Sequence, residues 1–277
     1  MKKVCVILFI GVFLALGVFS GCKKKLPTQA DTPTVGMQSI AVISSSDMLY
    51  IGTSETFTAV ATMSDGSTQS VVGGVWSEDN PSVAMVDAVT GEVIIVGSGM
   101  VNISVNYQGK QGTKTIRGLP NYQGTWSGSY IITGCNTTGE FAQLDFCDLI
   151  VIGTEAPIEL NLTQDSDRVE GRILLGDVGF NMSGPIDTYG QLLLSGAHQE
   201  ASFTIELATL FQSESPGQIT GTLVQLWRMT QLSGNGQLSC EVASIDRISA
   251  AATALRPSAP RMLNPTLKDL IRALTRR

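Results

Sequence analysis

The sequence is poor in the side chains that most enzymes use for chemistry. It holds one histidine, His198, beside Gln199 and Glu200 in a segment that reads as a turn. A Ser-His-Asp site would have to use it, and no Gly-x-Ser-x-Gly elbow exists to present a nucleophile. One histidine and no Cys-x-x-Cys pair also leave no ligand set for zinc, and nothing in the chain calls for a cofactor. Charge is scarce at 15% of residues, with a net charge of −6 and no basic stripe, which excludes a nucleic-acid partner. Asp165 and Asp167 at a hairpin tip, and Glu78-Asp79-Asn80, are the acidic groups nearest to a calcium-binding composition, yet turn chemistry alone explains both. A carboxylate pair of the glycosidase kind is not marked out among the many acidic residues, so an unrecognised hydrolase ranks third among the functions and the chain is read as no enzyme.

Apolar residues are plentiful at 43%, enough for real cores, and the 29 glycines and 10 prolines are scattered as they are between short strands. The length of 277 residues suits about two domains. The charge is segregated. Residues 31 to 247 carry 7 basic and 23 acidic side chains, whereas 248 to 277 carry 6 basic and 1 acidic.

Lys2 and Lys3 precede an unbroken apolar run from Val4 to Phe19, and Ser20-Gly21-Cys22 follows at once. The run is short for a membrane span, which needs ~20 apolar residues, and its order is that of a signal peptide over 1–21. The Phe19-Ser20-Gly21-Cys22 segment resembles the lipobox of bacterial lipoproteins, although Phe19 stands where that family prefers leucine. The resemblance implies diacylglyceryl attachment at Cys22, so membrane lipid is the first expected partner. Lys23, Lys24 and Lys25 would then face anionic head groups, and by resemblance to Gram-negative sorting a lysine after the cysteine implies the outer membrane. Residues 22–35 read as a flexible tether.

From 36 to 118 the sequence alternates apolar and polar residues in short runs such as Val101-Asn102-Ile103-Ser104-Val105, separated by turn signals at Asp65-Gly66 and Thr90-Gly91. Trp76 falls in a central strand and is expected to fill the space between two sheets. The order Ile51-Gly52, Phe57-Thr58-Ala59, Ser64-Asp65-Gly66-Ser67, Val75-Trp76-Ser77, Ser82-Val83-Ala84, Gly91-Glu92-Val93 and Gly97-Ser98-Gly99 resembles the bacterial immunoglobulin-like domain of group 2. Ile95 and Met100 depart from that pattern. The resemblance implies a β-sandwich used for adhesion, spacing, or binding of a cell-surface protein or carbohydrate.

Arg117-Gly118-Leu119-Pro120 reads as a break. A second set of strands over 121–248 follows, with a hairpin at 157–174 and further strands near Trp126, Leu144, 178–186, 191–197, 202–211, 218–229 and 237–248. About nine strands joined by short links predict an antiparallel meander that closes into a barrel, with a second sandwich as the alternative. Gly124-Thr125-Trp126 resembles the start of lipocalin-like up-and-down barrels. That resemblance implies a contact between Trp126 and an arginine of the last strand, here Arg247, and the carriage of a small hydrophobic ligand, the runner-up function. The bland counterpart is a barrel filled by its own side chains.

After export three cysteines remain downstream of Cys22: Cys135, Cys147 and Cys240. Cys135–Cys147 is the favoured disulfide, closing a loop of about a dozen residues for ~3 kcal/mol in the chain-entropy account, and Cys135–Cys240 is the rival if the barrel closes. Residues 249–277 form a linker and then a basic amphipathic stretch in which Leu267, Leu270, Ile271 and Leu274 share a helical face. The reading is an all-β, lipid-anchored surface protein with an adhesive or spacing role. Its oligomeric state is not legible. Replacing Cys22 by alanine is expected to abolish incorporation of radioactive fatty acid in cells; label retained by Cys22→Ala refutes the lipobox.

Overall fold

The computed structural model describes residues 34–248; the signal segment, Cys22, the tether up to residue 33, and residues 249–277 lie outside the described residues. Ten short strands come first: β1 (Met37–Ile43), β2 (Met48–Tyr50), β3 (Ser54–Thr56), β4 (Thr58–Met63), β5 (Thr68–Ser70), β6 (Val75–Glu78), β7 (Ala84–Val86), β8 (Glu92–Ile95), β9 (Gly99–Tyr107) and β10 (Lys110–Leu119). They form three small sheets in the orders β1-β4-β5, β2-β10-β9-β6 and β3-β8-β7. Alternation drives this layering. In β9 Val101, Ile103 and Val105 point inward and are buried, while Asn102 and Ser104 between them are only partly covered. Gln108 and Gly109 both take positive φ, 50° and 76°, which matches the twist of a two-residue hairpin between β9 and β10.

Trp76 lies in this core with Phe57, Val93 and Ile103. Its ring lies against Gly91, where an added Cβ would come within 2.7 Å of the indole. Gly91 also has φ +72°, so the backbone and the packing both demand glycine there.

The direction of the strands matters for function. Ile40 of β1 lies beside Gly112 near the start of β10, and β2 runs parallel to β10 with Met48, Leu49 and Tyr50 opposite Arg117, Gly118 and Leu119. The chain therefore enters at Met37 beside the Gln108–Gly109 turn and travels towards Leu119. The second half of the chain begins there.

That second half is β11 (Gly124–Thr137), β12 (Glu155–Asp165), β13 (Arg168–Leu175), β14 (Val178–Pro185), β15 (Leu192–Gln199), β16 (Phe203–Ser215), β17 (Gln218–Met229) and β18 (Gly236–Arg247). Each strand pairs antiparallel with the next, and β18 pairs with β11 from Trp126↔Arg247 to Thr137↔Gly236, closing an eight-stranded barrel. The expected strand near Leu144 does not exist. Gly139–Leu144 and Phe146–Leu149 form two 3-10 turns. The left-handed backbone at Gly139 (φ +60°) and Asp145 (φ +51°) breaks any extended run, and Phe141 and Phe146 are both buried against the barrel. His198 likewise sits not in a turn but near the end of β15, opposite Ile205.

Arg117–Leu119 is not a break either, but the end of β10. Leu119 and Tyr122 belong to the barrel's core, where Met48 and Tyr50 of the sandwich also pack. Arg117 donates to Asp167 at 3.0 Å and to the backbone carbonyls of Ile186 (2.9 Å) and Asp187 (2.6 Å), with its side chain 12% exposed. A part-buried guanidinium that satisfies three acceptors on two barrel turns holds the sandwich against the barrel.

Trp76→Ala is expected to lower the stability of the sandwich by ~3–5 kcal/mol. Urea unfolding followed by tryptophan fluorescence and circular dichroism reads this directly. A midpoint that does not move shows that the core is not organised around this ring.

Candidate functional site: a filled barrel closed at both ends

The inward positions of the barrel are read off the alternation in each strand. Ile158, Leu160 and Leu162 on β12, Phe180 and Met182 on β14, Ile205, Leu207 and Phe211 on β16, and Leu223 and Trp227 on β17 are all buried. Side chains that line a ligand-sized lumen keep surface that a water molecule can touch. Phe180 and Phe211 keep 0%, Trp227 and Leu223 1%. Eight strands leave an interior that side chains can fill, and these do.

The end nearest the sandwich is closed by Trp126, 1% exposed, whose indole N–H donates to the Tyr122 carbonyl at 2.8 Å. The structure brings Arg247 over this ring, with the guanidinium carbon 4.5 Å from its centroid. The same guanidinium donates to the Asn121 carbonyl. Partial burial depresses the Arg247 pKa, but an arginine stays charged throughout. Below the indole Tyr122 donates its hydroxyl to the Gly190 carbonyl at 2.7 Å, and burial pushes its pKa well above the ordinary tyrosine range. Gln164 accepts from the Tyr122 backbone N–H at 2.7 Å and donates to the Pro120 carbonyl at 3.1 Å. Tyr122, Gln164 and Arg117 are residues that sequence reasoning missed. Their partners are mostly backbone carbonyls distant in sequence, which no motif announces.

The opposite end is closed by the two 3-10 turns. Phe141 and Phe146 meet edge-on at 5.3 Å, Phe146 lies 5.5 Å from Trp227, and Trp227 stacks on Phe203 at 6.4 Å. The disulfide Cys135–Cys147, Cα–Cα 5.7 Å, ties this plug to β11, as the favoured pairing expected, and leaves Cys240 free and buried. The Glu140 carboxylate accepts from the Ser233 backbone N–H at 2.9 Å and from its hydroxyl at 3.0 Å, which holds its carboxyl below the usual range.

Between these ends lies a small polar cluster. The Gln225 carboxamide accepts from the Trp227 indole at 3.3 Å and sits beside the Tyr130 hydroxyl and the Cys240 thiol. Its Nε2 and the Thr209 hydroxyl are buried without a hydrogen-bond partner of ordinary geometry. Burial pushes the Cys240 thiol up to about 12, so at neutral pH it is a thiol and a poor nucleophile.

The other candidates are spent on local bonds. His198 contacts the Gly179 carbonyl at 3.2 Å and the Glu200 carboxylate at 3.4 Å, and lies between Phe180 and Phe203. Asp167 holds Arg117, and Asp165 accepts from Ser166 at 3.3 Å. Asp79 takes the Asn102 backbone N–H at 2.8 Å and its amide at 2.7 Å, which lowers its pKa. Among the described residues no three His, Cys, Asp or Glu side chains converge to hold a metal ion.

No family model matches the sequence and no curated protein matches it. A solved structure of domains 5-6 of the S-layer protein SbsC is similar over 76% of this chain and 98% of that one, at 15% identity and a TM-score of 0.26, too slight a likeness to carry fold or function across.

A cysteine this deeply buried reacts only when the barrel opens. A maleimide probe is expected to leave Cys240 unlabelled in the native protein and to label it after denaturation in guanidinium without reductant. Rapid native labelling at Cys240 shows a barrel that is open at its centre.

Proposed function

We propose that this chain is an exported, lipid-anchored, non-enzymatic protein of the cell envelope, in which the sandwich is a spacer and the barrel binds with its outer surface. The filled interior carries this reading. A carrier of a hydrophobic ligand needs a lumen whose lining stays accessible in the empty state, and the inward side chains here cover one another. The barrel's outside is polar along β12 and β13, with Glu159, Asn161, Thr163, Glu170 and Arg172 directed outward, opposite to the apolar girdle of a barrel that crosses a bilayer.

The spacer role draws on direction. In chain order the sandwich stands between the lipobox-like segment and the barrel, the order a spacer needs. The order Phe19-Ser20-Gly21-Cys22 and the three lysines behind it support an anchor on the N-terminal side, and the likeness of 36–118 to the group 2 immunoglobulin-like domains supports the spacer. The Arg117 contacts favour a stiff one, since swivelling the barrel would break three hydrogen bonds from this part-buried guanidinium.

Native mass spectrometry of the Cys22→Ala protein, purified without detergent, is expected to return the mass of the chain alone. A co-purified apolar molecule, lost together with barrel stability on a Leu223→Trp substitution, overturns the filled-barrel reading in favour of the carrier.

A further inference from the structure

Asn235 is the one asparagine in the sequence that a glycine follows. In an Asn-Gly pair the backbone nitrogen of the glycine can attack the asparagine side chain, because the glycine carries no side chain to hinder the approach. The bond that forms joins the Gly236 nitrogen to Cγ of Asn235. The bond that breaks is Cγ–Nδ2, and Nδ2 leaves as ammonia. Water then opens the cyclic imide at one carbonyl or the other and leaves aspartate or isoaspartate at position 235. The reaction needs water alone, with no enzyme and no change of oxidation state.

The fold holds this pair in a collar. Gly234 and Asn235 lie in the link from β17 to β18, and Gly236 opens β18 opposite Trp227 on one side and Thr137 on the other. Ring closure must turn the Asn235–Gly236 peptide group towards the asparagine side chain, which takes Gly236 out of both pairings. The plug opposes that turn. The Asn235 N–H donates to the Thr138 hydroxyl at 3.1 Å, and the Asn235 carbonyl accepts from the Thr138 N–H at 2.8 Å. Beside them the Ser233 carbonyl accepts from the Phe141 N–H at 3.1 Å, and the Glu140 carboxylate takes the Ser233 N–H and hydroxyl. The two backbones touch here: Gly234 has φ +88°, and a Cβ on it would collide with the Thr138 carbonyl. Over Gly236 lie the rings of Phe141 and Phe146, which an added Cβ would meet at 2.6 and 2.8 Å.

We propose that Asn235–Gly236 is a site of spontaneous deamidation that the plug keeps intact, so that loss of ammonia from Asn235 waits on the parting of residues 138–141 from the β17–β18 link. The change is one-way. It adds a negative charge to a link that already receives the Glu140 carboxylate. Isoaspartate also inserts a methylene carbon into the main chain, and the two Thr138 bonds and the β18 pairings then no longer fit one register. Opening at this end of the barrel is thereby written into the covalent chain, and the altered end closes less well than the original.

Peptide mapping tests this, because trypsin releases residues 229–247 as one peptide that spans the pair. The full chain, purified without reductant, is aged in warm, mildly alkaline buffer, and the asparagine, aspartate and isoaspartate forms of that peptide are separated by chromatography and identified by mass. Two arms loosen the collar without touching Asn235: Thr138→Val with Glu140→Ala, both exposed positions, and reduction of Cys135–Cys147 by a dithiol in the unaltered chain. The expected result is deamidation at least ~10-fold slower in the folded protein than in guanidinium, since the reaction tracks the opened population. Either arm should raise the folded rate by at least ~3-fold while the circular dichroism stays native. A folded rate equal to the unfolded rate overturns the proposal. So does a slow rate that neither arm changes, which assigns the protection to the β18 pairings alone. Acceleration that comes only with loss of the native spectrum in both arms assigns it to the fold as a whole and overturns the proposal too.

Discussion

Pairing of β11 with β18 closes the barrel, and most of the molecule's other features follow from that closure. An open eight-stranded meander would leave two edges and an apolar concave face bare to water. Once Trp126 stands opposite Arg247 and Thr137 opposite Gly236, the edges disappear and the concave face becomes an interior. The price is two bulges, between Ser129 and Ile131 and between Ile132 and Gly134, that let the strand curve. Closure creates two mouths, and each is stopped with aromatic side chains: Trp126 and Tyr122 on one side, Phe141 and Phe146 on the other. Without these stoppers water would reach Phe211 and Trp227.

Closure also fixes how the two halves of the chain relate. The mouth near the sandwich is stopped by residues that follow β10 directly, so the connection between the halves is itself part of the barrel's core. A domain junction usually permits relative motion. Here Leu119 is in the barrel core, Ile51 donates its N–H to the Leu119 carbonyl, and Arg117 reaches three acceptors on barrel turns. Motion at this junction would expose apolar surface and strand a charge together. Stiffness is therefore a consequence of using one segment both as strand end and as stopper.

How much of this the sequence reveals depends on whether a feature is carried by a pattern or by a contact. Strand alternation such as Ile158, Leu160 and Leu162 is a pattern, and the closed all-β architecture could be read from it. The Cys135–Cys147 link was legible because a short loop separates two residues at neighbouring ends. The two 3-10 turns were not legible: Phe141 and Phe146 are apolar residues in a mixed run, and only the left-handed backbone at Gly139 and Asp145 distinguishes that run from a strand. The role of Arg117 was hidden for a different reason. Two of its three acceptors are backbone carbonyls 69 and 70 residues away, and every residue carries a carbonyl. His198 reads as a turn residue beside Gln199 and Glu200, but the strand that holds it runs one turn further than its apolar pattern does.

The placement of polarity says which solvent each surface was built for. Among the described residues the barrel interior holds a cluster that is not apolar, in which the Gln225 carboxamide lies beside the Tyr130 hydroxyl and the Cys240 thiol. A neutral cluster of this kind resists being slid along the strands, because a register shift of one residue would turn Gln225 outward and bring Arg228 or Leu226 inward. The same shift would move outward polar residues of β15 to β17, Glu206 and Arg228 among them, into the core and the core residues into water. The polar exterior and the Gln225 cluster thus specify one register between them.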